Sequence, residues 1–186
     1  MRHILFLVGL LIAMNLVWSG IGAADQTDPR LDGLFIELHE TDNPHKARLI
    51  EQSIWSVWTA SKSPTLQLLM GRVLKAMGKQ KFGEALELLN TIVVIAPDYA
   101  EGWNKRATVY FLLGQYQNSI ADIETTLDLE PRHFGALSGL GQIYMRLEEF
   151  ASALDAYERA LLVNPHLGHA EKVVERLRKK VKGENI

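Results

Sequence analysis

One 34-residue unit recurs along this chain, and a fixed period of that length constrains the fold more than any other feature. It is clearest at 100–133, AEGWNKRATVYFLLGQYQNSIADIETTLDLEPRH. One period on, Tyr116, Ser119, Ile120, Leu127 and Pro131 become Phe150, Ala153, Leu154, Leu161 and Pro165. One period back, they become Phe82, Ala85, Leu86, Val93 and Pro97. A unit this short cannot bury its apolar face alone, so neighbours must stack into one continuous core. Such an array presents a long open surface, and the work it suits is holding another polypeptide.

Each unit reads as two helices. The apolar spacing predicts them over 99–113 and 117–129 in the central unit, 134–147 and 149–163 in the next, and 64–77 and 81–95 in the one before. Small residues recur where two helices must approach: Gly71, Ala107 and Gly141 in one column, Ala85, Ser119 and Ala153 in another. Placing Gly71 with Ala107, and Leu74 with Tyr110, requires two extra residues in the turn after Gly78, which an exposed turn absorbs cheaply. Tyr110, Tyr144, Phe82, Tyr116, Phe150 and Tyr157 are expected to fill the space between helices, as core and not as a cofactor box. Asp98 stands where it can cap the first central helix.

The ends depart from the unit. Asp28-Pro29, Asn43-Pro44 and Ser63-Pro64 each set a side-chain acceptor before a proline, the signature of a helix start. Leu31, Leu34, Phe35 and Leu38 make one apolar stripe, and Ala47, Ile50, Ile54 and Trp58 a second. Residues 25–63 are therefore a helical hairpin without the repeat's columns, expected to cap the first unit, with Trp55 and Trp58 as core and not a ligand cage. The last helix, 167–182, places Ala170, Val174, Leu177 and Val181 on one face. Lys172, Arg176, Arg178, Lys179, Lys180 and Lys182 lie on the other, read as the wet side of a cap in preference to a membrane-surface patch.

These columns resemble the tetratricopeptide repeat (TPR) family. Trp103, Tyr110, Gly114, Tyr116, Ile120, Leu127 and Pro131 match its pattern in the central unit, and Leu137, Leu140, Gly141, Tyr144, Phe150, Ala153, Tyr157, Ala160, Leu161 and Pro165 match it in the last. The resemblance covers 64–167. Arg106 and Thr126 depart from it, standing where leucine and alanine are usual, and Arg106 is expected to pair with Asp122. The resemblance implies an all-α fold: a right-handed α-α superhelix, a solenoid of antiparallel helix pairs, with helical caps at both ends. It implies a concave groove lined by the first helix of each pair. Its groove columns fall on Leu68, Arg72 and Lys75, then Asn104, Thr108, Phe111 and Leu112, then Ser138, Gln142, Met145 and Arg146. Gly135 and Gly139 should leave a depression near Ser138, and the surface should suit a peptide with one or two carboxylates and an apolar anchor. One subclass of the family grips a C-terminal carboxylate with Lys, Asn and Arg. Here Leu68, Arg72, Gly135 and Gly139 hold those columns, so that mode is not expected.

Charge and composition narrow the rest. Twenty Lys and Arg against 22 Asp and Glu give a net charge of −2, without the basic excess of a nucleic-acid binder. No cysteine is present, which removes disulfides, thiolate metal sites and cysteine nucleophiles. Arg2, the apolar run Ile4–Trp18 and the small residues before Asp25 read as a secretory signal cut after Ala24. The same 4–24 segment, left uncleaved, could span a bilayer and anchor the chain facing the periplasm. The segment GALSGLG at 135–141 is no nucleophile elbow, because Ala136 and Leu140 flank Ser138 where glycines are needed. His166 and His169 share a helix face but have no third ligand, so no metal site is expected.

The plan is a signal at 1–24, the hairpin at 25–63, three repeats within 64–165 (about 64–99, 100–133 and 134–167), and a capping helix with basic tail at 166–186. No enzyme and no cofactor is expected. The function expected is an exported scaffold holding a peptide or partner protein, or alternatively an anchored assembly or regulatory subunit of an envelope complex. Membrane contact is expected only through the N-terminal segment or the basic tail.

Overall fold

The computed structural model describes residues 28–61 and 63–183; the segment assigned to export lies outside them. Nine helices make up the described residues. A hairpin of α1 (Arg30–Glu40) and α2 (Pro44–Thr59) precedes three pairs. The pairs are α3 (Pro64–Gly78) with α4 (Phe82–Ile95), α5 (Ala100–Leu112) with α6 (Tyr116–Leu129), and α7 (Phe134–Arg146) with α8 (Phe150–Val163). The chain closes with α9 (Gly168–Val181). From α3 onward each helix packs on the next, antiparallel because the connections are short. No helix among the described residues is long and apolar enough to cross a membrane.

The start signals act as the sequence indicates. Asn43 accepts the amides of His45 and Lys46, Ser63 accepts that of Leu66, and Asp28 that of Arg30. Asp98 is the exception: Tyr99 occupies the N-cap of α5, where no side chain caps the helix.

The period is unbroken in the first repeat, contrary to the expected two-residue insertion. Gln80, Gly114 and Glu148 stand one period apart with left-handed φ of 57°, 72° and 60°. In the same register the amides of Lys81, Gln115 and Glu149 donate to the carbonyls of Ala76, Tyr110 and Tyr144, at 2.9, 2.8 and 2.9 Å. Placing Gly71 with Ala107 and Leu74 with Tyr110 misplaces α3, because the turn keeps its shape with Gln80 at the position of Gly114. Val73, fully buried, therefore shares the column of Ala107 and Gly141. A Cβ on Gly71 would meet open space.

Elsewhere the small-residue columns mark real close approaches. A Cβ on Gly141 would stand 2.7 Å from the Tyr157 ring, and one on Gly102 would stand 2.9 Å from Ile92 Cγ2. Ser119 Oγ donates to the Ala107 carbonyl at 2.7 Å, joining α5 and α6. Arg106 grips Asp122 through Nε and Nη2, both at 2.7 Å, as its position implied. Tyr157 is fully buried, whereas Tyr144 is half-buried between two clusters.

The hairpin does not cap the first repeat. It lies along one edge of the array, across the turns that join successive repeats. The Tyr99 hydroxyl donates to the Thr59 carbonyl at 3.2 Å. Trp58 stacks on His133 with centroids 4.2 Å apart. His39 and His166 bond the carbonyls of Leu162 and Leu38, and Asn164 Nδ2 donates to Glu51. Tyr99, His133 and Leu167 occupy the same column one period apart, so the hairpin meets one row of the array three times. Its apolar stripes, plus Trp55, pack against Phe134, Val163 and Leu167, and burying that surface holds the hairpin in place.

At the other end α9 covers the last pair. Ala170, Val173, Val174 and Leu177 are buried, while Val181, expected inside, is 47% exposed. Arg178 binds Glu158 at 2.7 Å and Lys180 lies over the Phe150 ring, so part of the basic face is spent on the body of the protein.

Candidate functional site

The columns expected to line the groove lie on α3, α5 and α7, the first helices of the three pairs. Eight of the eleven expected groove residues come from α5 and α7. Phe111 is half-buried against Tyr116, Leu112 is 48% exposed, Ser138 is half-buried, and Gln142, Met145 and Arg146 are exposed. Thr108 Oγ1 donates to the Asn104 carbonyl at 2.9 Å. Asn104 is buried, and its Nδ2 donates to Glu101 at 2.7 Å, so this amide is structural.

Leu68, Arg72 and Lys75 do not belong to this surface. In the unbroken period they share columns with Gly102, Arg106 and Val109, which face the preceding pair. Gly71, Leu74 and Met77 take the columns of Lys105, Thr108 and Phe111 instead. Leu74 is 51% exposed there, and Met77, Phe111 and Met145 form an apolar column one period apart. The two α3 columns tested for the carboxylate grip now hold Met70 and Leu74, which also cannot supply it. Among the described residues Arg146 is then the cation of these columns without an ion pair, and of the expected one or two carboxylates in the ligand it provides for one.

A cavity of about 140 Å3 opens between α5, α6 and α7. Ala107, Phe111, Ile123, Ala136 and Ile143 line it, with Gly139 as its floor and Thr108 and Gln142 among its polar groups. It exists because Gly139 has no side chain: a Cβ there would reach ordinary contact with Ile123, at 3.7 Å. Gly135 lines the same cavity, although its own Cβ position is taken. Trp55 occupies it, with ring atoms 2.6 and 2.8 Å from where a Cβ would stand, and walls that end of the groove.

Behind that wall lies a buried polar cluster that sequence reasoning missed. The Glu101 side chain is wholly inaccessible. Its Oε1 lies 2.6 Å from Lys105 Nζ, and its Oε2 accepts from Asn104 and from His133 Nε2, the latter at 3.1 Å. The Ala136 amide donates to His133 Nδ1 at 3.1 Å, which leaves the ring proton on Nε2, facing the carboxylate. Burial pushes the Glu101 pKa up, but the His133 hydrogen bond and the Lys105 charge outweigh it and hold it at about 2. Lys105 also lies over the Trp55 ring at 5.2 Å. Burial, with the Glu101 charge adding, raises the Tyr99 phenol. The visible signal was the 32-residue spacing of an acid and a histidine at two repeat starts; the paired tryptophans that seal them come from a hairpin whose destination the sequence does not encode locally.

The tetratricopeptide repeat profile matches residues 100–133 and 135–167. A TPR repeat-containing protein of Rhizobium etli is 38% identical over 169 residues, covering 91% of this chain and 83% of its own length. Among solved structures, the first TPR domain of Spaghetti (RPAP3) bound to the Hsp90 peptide SRMEEVD aligns with a TM-score of 0.60 at 21% identity, over 62% of this chain and 92% of that one. The Yersinia enterocolitica type III secretion chaperone SycD, in complex with a peptide of the translocator YopD, aligns with 0.61 at 13% identity, over 64% and 96%. Over about two thirds of its length the chain shares the all-α TPR solenoid of those structures.

Proposed function

The chain belongs to the tetratricopeptide repeat family, and from that premise we propose that it is an exported, non-catalytic scaffold that holds a peptide or partner protein in its concave groove. The observation that carries this is the cavity floored by Gly139. It is comparable in size to an engineered cavity that admits benzene, so it takes one apolar side chain of a bound segment. Leu74, Met77, Leu112 and Met145 add apolar contact on either side, and Gln142 and Ser138 offer hydrogen bonds to a bound backbone. Arg146 provides for a single carboxylate toward the C-terminal ends of the helices. Two solved proteins of the same fold carry peptides, which agrees with this use of the surface. Export rests on the sequence of 1–24; a native chain beginning at Asp25 supports cleavage, and one retaining Arg2 favours an envelope anchor.

Quantitative crosslinking from envelope extracts tests the groove. Gly139→Leu fills the cavity and Arg146→Glu reverses the free charge. Both should lose the partners that the parent protein captures, with melting curves no lower than the parent's. Glu87→Lys and Asp128→Lys, on the outer helices, should keep them. The reverse pattern places the partner on the convex face and overturns the assignment.

A further inference from the structure

The array is covered at one end and open at the other. With the hairpin along the edge, no helix of the described residues lies on the outward face of α3: Leu68 is 64% exposed, and Arg72, Lys75 and Lys79 are exposed beside it. These four fall at i, i+4, i+7 and i+11, one stripe along the helix, opposite the buried Leu66, Met70 and Val73.

One period on, the stripe reads Gly102, Arg106 and Val109, and each of them meets the preceding pair. Gly102 approaches Ile92 so closely that a Cβ would collide. Arg106 Nη1 donates to Asn90 Oδ1 on α4 at 3.0 Å. Val109 is buried in the cluster formed by α3 and α4. Two periods on, Ala136, Leu140 and Ile143 are buried in the same way. Each internal copy of the stripe is covered by the second helix of the pair before it, and the first copy has no such helix among the described residues.

The stripe also states what charge the missing helix should carry. No Asp or Glu occurs in α3, and Arg72, Lys75 and Lys79 make no ion pair among the described residues. Arg106 shows what arginine does in this column: it takes a side-chain acceptor from the covering helix. We infer that the open face of α3 docks one amphipathic, acidic α-helix of a partner protein, lying against α3 as α4 lies against α5. Small or aliphatic residues of that helix cover Leu68 and the stems of Arg72 and Lys75, and its carboxylates meet the three cations. Stacking copies of this chain end to end opposes the arrangement, since the outer face of α9 is also rich in cations. A membrane surface fits less well, because the stripe offers one apolar side chain where an interfacial helix needs a broad apolar face.

The probe is a stapled 18-residue helix with Glu at i, i+4 and i+7 beside an Ala/Leu seam, followed by fluorescence anisotropy with the chain from residue 25 onward. The Glu peptide should bind. Its Gln counterpart should bind at least tenfold more weakly, as should the Glu peptide to the Arg72→Glu/Lys75→Glu variant, and 500 mM salt should weaken the parent complex. The double variant should melt like the parent, because both side chains are exposed. Gly139→Leu, which blocks the groove, should leave this binding unchanged, so the two surfaces fail or succeed separately. Equal binding by the double variant overturns the inference. So does capture of phosphatidylglycerol vesicles by the stripe in place of the peptide, or a concentration-dependent dimer that the double variant abolishes.

Discussion

Replacing Glu101 with Gln should remove a pH-dependent part of the stability and leave the shape of the site intact. The carboxylate is sealed from solvent, and its pKa is held at about 2 against an ordinary 4.5. The depression means that the unfolded chain takes up the proton first. The stabilisation is therefore complete above pH 4.5, declines as pH falls, and is gone below about pH 2. The shift corresponds to about 3 kcal/mol at neutral pH, of which about 2 kcal/mol should be lost between pH 5 and pH 3. Gln can still accept from His133 and Asn104 at one oxygen, but its amide then points at the Lys105 ammonium, donor against cation. A loss of about 2–4 kcal/mol at pH 7 follows, the scale for breaking a buried, hydrogen-bonded pair. Urea titrations of both proteins at pH 7, 5 and 3 measure it directly. Other carboxylates titrate alike in the two chains, so the difference between them isolates Glu101. That difference should shrink by about 2 kcal/mol from pH 5 to pH 3, a shift of about 1 M in relative midpoint for a urea slope near 2 kcal/mol/M. A difference that stays constant with pH would falsify the claim that this carboxylate is ionised in the fold.

Four further outcomes are expected. Gly139→Ala should raise stability by about 0.5–1 kcal/mol, because glycine in a helix interior is costly and the added methyl meets only Ile123 at contact distance; a lower melting temperature would show that the cavity is not free. Trp58→Ala should cost about 3–5 kcal/mol and expose the amides of residues 30–59 to hydrogen exchange, since its ring is buried on His133; unchanged protection there would mean that α1 and α2 hold without it. Tyr157→Ala should cost about 3–5 kcal/mol and Tyr144→Ala clearly less, as only the first ring is fully buried; equal losses in calorimetry would contradict the packing. Removing residues 168–186 bares the partners of Val174 and Leu177 and should cause association in sedimentation experiments, so a monodisperse truncated chain refutes the capping role of α9.

The repeat, its helices and most of the packing were legible in the sequence because they depend on local spacing. Ala85, Ser119 and Ala153 are all fully buried where the column placed them, and Arg106 meets Asp122 as expected. The misplacement of α3 has a specific cause: Gly71 looks like the small residue of the Ala107 and Gly141 column, whereas the buried Val73 fills it and the turn keeps its left-handed residue at Gln80. Two residues of slippage carry a side chain about 200° around a helix, so Leu68, Arg72 and Lys75, groove residues in the slipped register, lie on the end face. The destination of the hairpin was not legible at all. Its stripes show that α1 and α2 need an apolar surface, but nothing local says which one, and the choice rests on aromatic partners far along the chain, Trp58 with His133 and Trp55 with Phe134.

That choice shapes both candidate surfaces. A hairpin lying on α3 would cover the basic stripe and leave Gly135, the Glu101 cluster and the N-terminal ends of α5 and α7 open to water. Glu101 would then be a solvated acid in the groove, repelling the carboxylate that Arg146 attracts. In the observed fold Trp55 and Trp58 seal Glu101 with His133 and Lys105, and the groove keeps apolar, neutral and cationic side chains among the described residues. The same displacement leaves α3 as the one first helix of a pair whose outward columns have no helix against them among the described residues. One packing decision by thirty residues thus removes the acid from one surface and leaves the basic stripe bare on the other.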